Sequence, residues 1–235
     1  NAILAASERM GKKSIDDVMN LFRQLEERKW QLIFSGVGKS GFIGRKIAST
    51  FASLGLRSFF LHPVEALHGD LGRAKKEDTI VLISKSGTTE EIMKLIPFLP
   101  IPRERRIGLL GDTESPIAKE CYVTLDCAVE KEACLNNQAP TTSSTLALAM
   151  GDALAVLYEK MIGLSKEGFA FNHPGGILGK SLRMKVEDLM INVNDCPQCC
   201  AETSLQEVIL SMTENPVGAC AILGPQNNLM GIVVD

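Results

Sequence analysis

The chain has no excess of basic residues: 25 Lys and Arg stand against 28 Asp and Glu, for a net charge of −3. A protein that neutralises a phosphate backbone needs a basic face, so a nucleic-acid partner is not expected. No apolar run approaches the roughly 18 residues that cross a bilayer. No signal peptide is recognisable either, so a cytoplasmic protein without a membrane partner is expected, while a first residue of Asn1 leaves the natural N-terminus open. A disulfide framework is also missing, because the seven cysteines are odd in number and scattered, as reduced thiols are. Cys196, Cys199 and Cys200 form a C-x-x-C-C cluster, but a structural zinc wants four ligands. Only Cys220 lies downstream and no histidine is near, so free thiols are expected.

What is present is ordinary globular material, 45% hydrophobic and 23% charged over 235 residues. At roughly 150 residues per domain this allows one sizeable α/β domain and a smaller piece. The chain is organised around residues 80–91, IVLISKSGTTEE. Ile80, Val81, Leu82 and Ile83 show no polar alternation, which suits a strand buried on both faces. Ser84, Ser86, Gly87, Thr88 and Thr89 follow, and Glu91, Ile92, Leu95, Ile96 and Leu99 then recur at helical spacing. A strand feeding a helix through hydroxyls and a glycine aims backbone N–H groups and O–H donors at one point, where an anion such as phosphate binds. The alternative is a turn in which Thr88 or Thr89 merely caps the helix.

Upstream, Ser14 and Asp17 resemble a capping box, with Ile15, Val18, Met19, Phe22 and Leu25 on one helical face. A short strand at residues 30–35 runs into Gly36-Val37-Gly38-Lys39-Ser40-Gly41. That loop matches G-x-G-x-x-G, but a dinucleotide site also wants an acid at the end of the second strand. The second strand, residues 58–61, ends in His62 instead, and Ile33 occupies the position where a P-loop requires glycine. The loop is therefore read as a phosphosugar-facing turn carrying a lysine. Residues 62–72, HPVEALHGDLG, make a long polar connection. Further strands are expected at 107–110, ending in Gly111-Asp112, and at 122–125.

Strand and helix alternating at this spacing argue a parallel sheet covered on both faces, with ligands at the carboxyl ends of its strands. Lys39, His62, the 84–89 loop and Asp112 all fall on that edge. Beyond Pro140 a hydroxyl-rich run, residues 141–145, opens a long helix with small residues on its face. The loop FAFNHPGGILG, residues 169–179, carries His173 on a glycine-proline turn. From Val186 the composition changes to a smaller α+β module, with a helix at 204–212 and strands at 219–223 and 229–234, expected to be incomplete at Asp235.

Six segments together resemble one family: GVGKSGFIGRK at 36–46, HPVEALHGDLG at 62–72, ISKSGTTEE at 83–91, KEAC at 131–134, MGDALA at 150–155 and HPGGILG at 173–179. The chain resembles the sugar isomerase (SIS) domain, and within it the D-arabinose 5-phosphate isomerases, whose members carry paired C-terminal cystathionine-β-synthase (CBS) modules. The resemblance implies a three-layer αβα domain with a five-stranded parallel sheet over residues 1–184, and a partial CBS module over 185–235. It implies that Ser40, Ser84, Ser86, Thr88 and Thr89 bind the sugar phosphate, and that Lys39, His68, Glu91, Glu132 and His173 serve catalysis. No cofactor is required, while His62 is implied to touch an inhibitory zinc. The family interconverts D-ribulose 5-phosphate and D-arabinose 5-phosphate for the eight-carbon acid sugar of lipopolysaccharide or capsule, and forms tetramers whose sites mix residues of neighbouring subunits.

Moving a carbonyl between C1 and C2 needs a base, an acid for the oxygens and stabilisation of the enediolate. Glu132 is expected to shuttle the proton, Lys39 to supply positive charge, His173 or His68 to protonate oxygen, and Glu91 to position Lys39. Lys85 and the Thr88-Thr89-Glu90 run depart from the residue types common in relatives. Two other readings stay open, an isomerase of another sugar phosphate and a non-catalytic phosphosugar-binding regulator.

Overall fold

Strands that are apolar at every position must be covered on both faces, and β-branched residues keep them extended. The computed structural model, which describes residues 2–235, divides into two compact units, one ending at Gly179 and one running Lys180–Asp235. In the first unit α1 (Ala2–Arg9) and α2 (Lys12–Arg28) precede β1 (Leu32–Gly36), α3 (Lys39–Ser53), β2 (Ser58–Phe60) and α4 (Pro63–Leu67). There follow β3 (Thr79–Ser84), α5 (Glu90–Leu95), β4 (Arg106–Leu110), α6 (Pro116–Lys119), β5 (Val123–Asp126) and the long α7 (Thr142–Ile162). Helices α8 (Lys166–Phe171) and α9 (Ile177–Arg183) come next, with the unit boundary inside α9, upstream of the expected 184.

The strands form one parallel sheet in the order β2-β1-β3-β4-β5, the arrangement expected from the alternating pattern. Its period of two decides which side chain enters which core. Val81 and Ile83 join Phe34, Leu109 and the α2, α3 and α7 residues Phe22, Phe51 and Tyr158 on one face. Ile80 and Leu82 join Ile33 and the α5 and α6 residues Ile92, Leu95 and Ile117 on the other. After β1 the chain lays β2 on one side and then β3 on the other. The carboxyl ends of β1 and β3 therefore flank a topological switch point, where open parallel sheets hold ligands.

Three local expectations need correction. Helix α2 begins two residues before Ser14, with Gly11 as N-cap and no side-chain cap bond, because burial of Val18, Leu21, Phe22 and Leu25 sets the helix rather than a capping box. The connection at 62–72 is partly helical: Pro63 presets the first turn of α4 and His62 Nδ1 accepts the Val64 N–H at 3.3 Å. After Thr89, the α-helix stops at Leu95 and a 3-10 turn, Ile96–Phe98, follows, since Pro97 cannot donate to the helix.

The second unit contains α10 (Val186–Leu189), β6 (Gln198–Cys200), α11 (Leu205–Glu214), β7 (Ala219–Leu223) and β8 (Leu229–Val234). Its sheet runs β6-β7-β8, with β7 parallel to β6 and antiparallel to β8. The hairpin and the helix were legible, α11 opening on a Ser204–Glu207 capping box; β6, inside the Cys/Pro-rich stretch, was not expected. Among the described residues no three His, Cys, Asp or Glu gather as a metal site. Burial and the neighbouring Cys199 thiol push the Cys220 thiol up to about 11, so it stays protonated at neutral pH.

Close packing of α3 on α7 depends on Gly151, where an added methyl would lie 2.2 Å from Ile47 Cδ1. Ile47 is fully buried and has little room to move. Gly151→Ala is expected to lower the urea midpoint by the equivalent of about 1–3 kcal/mol, the usual cost of overpacking; an unchanged midpoint would show that this contact does not limit packing.

Candidate active site

Loops from the carboxyl edge of the large sheet meet the start of α7 around a cavity of about 120 Å³. Lys39 and Ser40 reach it from the β1 side, Ser84 and Lys85 from β3, Gly111 and Cys127 from β4 and β5, and Ser143 and Ser144 from α7. Burial pushes the Cys127 thiol up to about 12, so it borders the cavity as a neutral thiol and not as a nucleophile.

The loop at residues 84–89 is built from its own hydroxyls. Ser84 is buried, its Oγ accepts the Gly87 N–H at 3.0 Å, and it shares a 2.8 Å hydrogen bond with Thr89 Oγ1. Ser86 Oγ accepts both the N–H and the Oγ1–H of Thr88, at 3.2 and 3.0 Å. Gly87 has a φ of +64°, and a Cβ there would come within 1.9 Å of Ser115 Oγ, so only glycine fits. Thr89 occupies the N-cap position of α5 without a side-chain cap bond, its hydroxyl being turned to Ser84 instead. Of the expected phosphate ligands Ser40 and Ser84 line the cavity, and Ser86, Thr88 and Thr89 belong to the same loop.

Glu132 is the most constrained group at the site. Its side chain is fully buried and forms an ion pair with Lys85, Nζ to Oε1, at 2.7 Å. Oε1 also accepts the Ser143 hydroxyl, while Oε2 accepts the Thr141 N–H at 2.8 Å, the Ser143 N–H at 3.1 Å and the Thr141 hydroxyl at 3.2 Å. Burial by itself would raise its pKa, but Lys85, Ser143 and the backbone N–H groups of Thr141 and Ser143 outweigh it and hold the carboxyl far below the ordinary range. A carboxylate offers about four acceptor sites, and here they are filled. The group is an anion that anchors the first turn of α7 and one lysine.

Of the residues expected to serve catalysis, Lys39 borders the cavity, while His68, Glu91 and His173 do not line it within one chain. Lys39 opens α3, exposed, with its Nζ 5.8 Å from the Phe42 ring. Glu91 lies half-buried in the first turn of α5, where its charge acts on Lys94; among the described residues no ion pair joins it to Lys39. His68 is exposed at the end of α4, and Asp112 Oδ1 accepts the Glu114 N–H in its own turn. His173 stacks on Phe169 at 4.0 Å and its Nδ1 lies 2.8 Å from the Phe169 carbonyl. The adjacent Asn172 donates to the Ser53 carbonyl at 3.2 Å, at the far end of α3. That helix has 15 residues and is about 22 Å long at a rise of 1.5 Å per residue, so His173 and Lys39 belong to opposite ends of it. His62 commits Nδ1 to Val64, and no group of three or more ligating side chains forms among the described residues.

Lys85 and the start of α7 had no assigned role in the sequence. The run of hydroxyls at 141–145 before a long apolar helix is the signal that would have marked a helix N-terminus facing an anion.

Because its folded pKa is depressed, Glu132 contributes stability that is fully present above its unfolded value of about 4.3 and is lost as the pH falls below it. Glu132→Gln is expected to destabilise the protein at pH 7 by about 3 kcal/mol, the low end for breaking a buried pair. The gap to wild type should narrow in urea titrations below about pH 4; a gap independent of pH would refute the charged role.

The SIS domain profile matches residues 24–157. The arabinose 5-phosphate isomerase of Pseudomonas aeruginosa is 43% identical over 220 residues, 94% of this chain and 68% of that protein. Its counterpart in Francisella tularensis is 40% identical over 228 residues, 95% of this chain and 69% of that one. An Escherichia coli CFT073 protein solved in complex with A5P superposes with a TM-score of 0.64 at 36% identity, covering 74% of this chain and 92% of that one. The switch-point cavity, its Ser/Thr loop and these likenesses agree: the chain belongs to the SIS domain family and, within it, to the family of the arabinose 5-phosphate isomerases.

Proposed function

We infer that the protein is an aldose–ketose isomerase interconverting D-ribulose 5-phosphate and D-arabinose 5-phosphate. What carries the reading is the cavity at the switch point, where two lysines, the 84–89 loop and the start of α7 converge, in a chain whose relatives bear that name. The E. coli CFT073 neighbour holds A5P in the same fold.

The reaction removes a proton from C1 of the ketose to give an enediolate and returns a proton to C2, while one proton leaves O1 and one is gained by O2. Lys39, Ser40 and the hydroxyls of Ser84, Ser86, Thr88 and Thr89 are assigned to the phosphate. A general base works best when its pKa lies near the operating pH. Glu132 is held far below that and its acceptor sites are filled, so we reassign the carbon proton from Glu132 to an imidazole, the side chain most often used as a general base. His173 is the candidate, with His68 and Glu91 assigned to the oxygens. Since His173 lies toward the end of α3 away from Lys39, it is proposed to act in the cavity of a neighbouring copy, in a homotetramer in the cytoplasm. Proton transfer between adjacent carbons needs no oxidant or metal, so no cofactor is proposed, and a zinc at His62 would have to gather further ligands that do not cluster with it among the described residues. The unit Lys180–Asp235, with its three strands and the helices α10 and α11, is proposed as part of a CBS module. The product is proposed to supply the eight-carbon acid sugar of the bacterial surface.

Incubation with ribulose 5-phosphate in deuterated water should yield arabinose 5-phosphate labelled at C2. Binding without turnover would indicate a sensor, and turnover of a six-carbon substrate alone another isomerase. The double variant Ser86→Ala, Thr89→Ala is expected to raise KM about tenfold, as loss of charge-assisted hydrogen bonds would; an unchanged KM would reject their phosphate role. Co-expressing inactive Lys39→Met and His173→Ala chains should restore part of the activity through mixed assemblies, and no recovery would place both residues in one chain's site.

A further inference from the structure

We propose that Lys85 stabilises the negative oxygen of the enediolate and that Glu132 is a positioning residue acting through it. The inference rests on the isomerase reading above and names a group that reading leaves unassigned.

Lys85 is fixed at both ends. Its backbone follows directly on Ser84, whose carbonyl accepts the Gly111 N–H at 3.2 Å, and a side chain at Gly111 would meet the Lys85 carbonyl at 2.4 Å. The loop and the end of β4 are thus locked together, and only a glycine at 111 allows it. At the other end Nζ is 2.7 Å from Glu132 Oε1, a carboxylate itself immobilised by the first turn of α7. An ammonium has three N–H donors. One is aimed at Glu132, and the side chain borders the cavity, where the others can meet a substrate oxygen.

Charge decides which oxygen. Lys39, on the β1 side of the cavity, carries no ion-pair partner among the described residues and can offset the phosphate. Lys85, at the end of β3, is already neutralised by Glu132, so the pair offers little attraction to a dianion. A held donor of this kind suits charge that appears only as the carbonyl becomes an enediolate, because its orientation is set before the reaction begins. The buried anion behind it holds the ammonium in place. The five donors around Glu132 are then explained by a positioning role, whereas a proton shuttle would have to break them at every turnover.

The test uses the full chain with ribulose 5-phosphate. Lys85→Met is expected to lower kcat about 100-fold, the loss typical of one transition-state donor, with KM within about threefold of wild type. Lys85→Gln, which keeps an N–H donor, should lie between the two. Activity of Lys85→Ala should recover saturably on addition of ethylammonium, which a purely structural role would not permit; circular dichroism and elution volume establish that each variant folds. A raised KM with unchanged kcat would make Lys85 a phosphate counter-charge and overturn the proposal, as would variants as active as wild type or folded Lys85→Ala that no amine restores. A wild-type protein that leaves both pentose phosphates unchanged would instead overturn the isomerase reading, and the proposal with it.

Discussion

The buried carboxylate of Glu132 is the interaction on which the site depends. It takes the N–H groups of Thr141 and Ser143, so it determines where α7 begins and places Ser143 and Ser144 on the cavity wall. Its second oxygen takes Lys85, which sets the reach of the 84–89 loop. Desolvating a carboxylate is costly, and only this full set of donors offsets it. The same donors hold its pKa below the ordinary carboxylate range.

The sheet imposes the second constraint. Reversal of strand order between β1 and β3 opens a gap at the carboxyl edge that the loops carrying Lys39 and Ser84 flank. At the other end of α3, Asn172, next to His173, donates to the Ser53 carbonyl. A single chain therefore brings together the groups proposed to hold the sugar phosphate and separates them from one imidazole implied in turnover, which is why association of copies enters the functional reading.

Most of the fold was legible because parallel strands advertise themselves. A run such as Ile80 to Ile83 has no polar residue to put on either face, so both faces must be covered, and the switch into helical spacing after Thr89 follows directly. The misjudged boundaries were those where local propensity competed with burial or proline geometry, at Ser14, at Pro63 and at Pro97. Strand β6 escaped notice because three residues of Gln and Cys carry no periodicity.

The site divides along the same line. Local sequence determined that residues 84–89 form a hydroxyl-rich turn with a glycine at positive φ, since a Ser-Gly-Thr string between a strand and a helix has few other conformations. It also determined that Lys39 opens a helix at the same edge. Only the tertiary structure decided that Lys85 meets Glu132, 47 positions away in the chain, that the helix at Thr142 starts on that carboxylate, and that His173 lies elsewhere. Ion pairs and helix starts of this kind come from the side-by-side placing of β3, β4 and β5 in the sheet, and distance along the sequence carries no record of it.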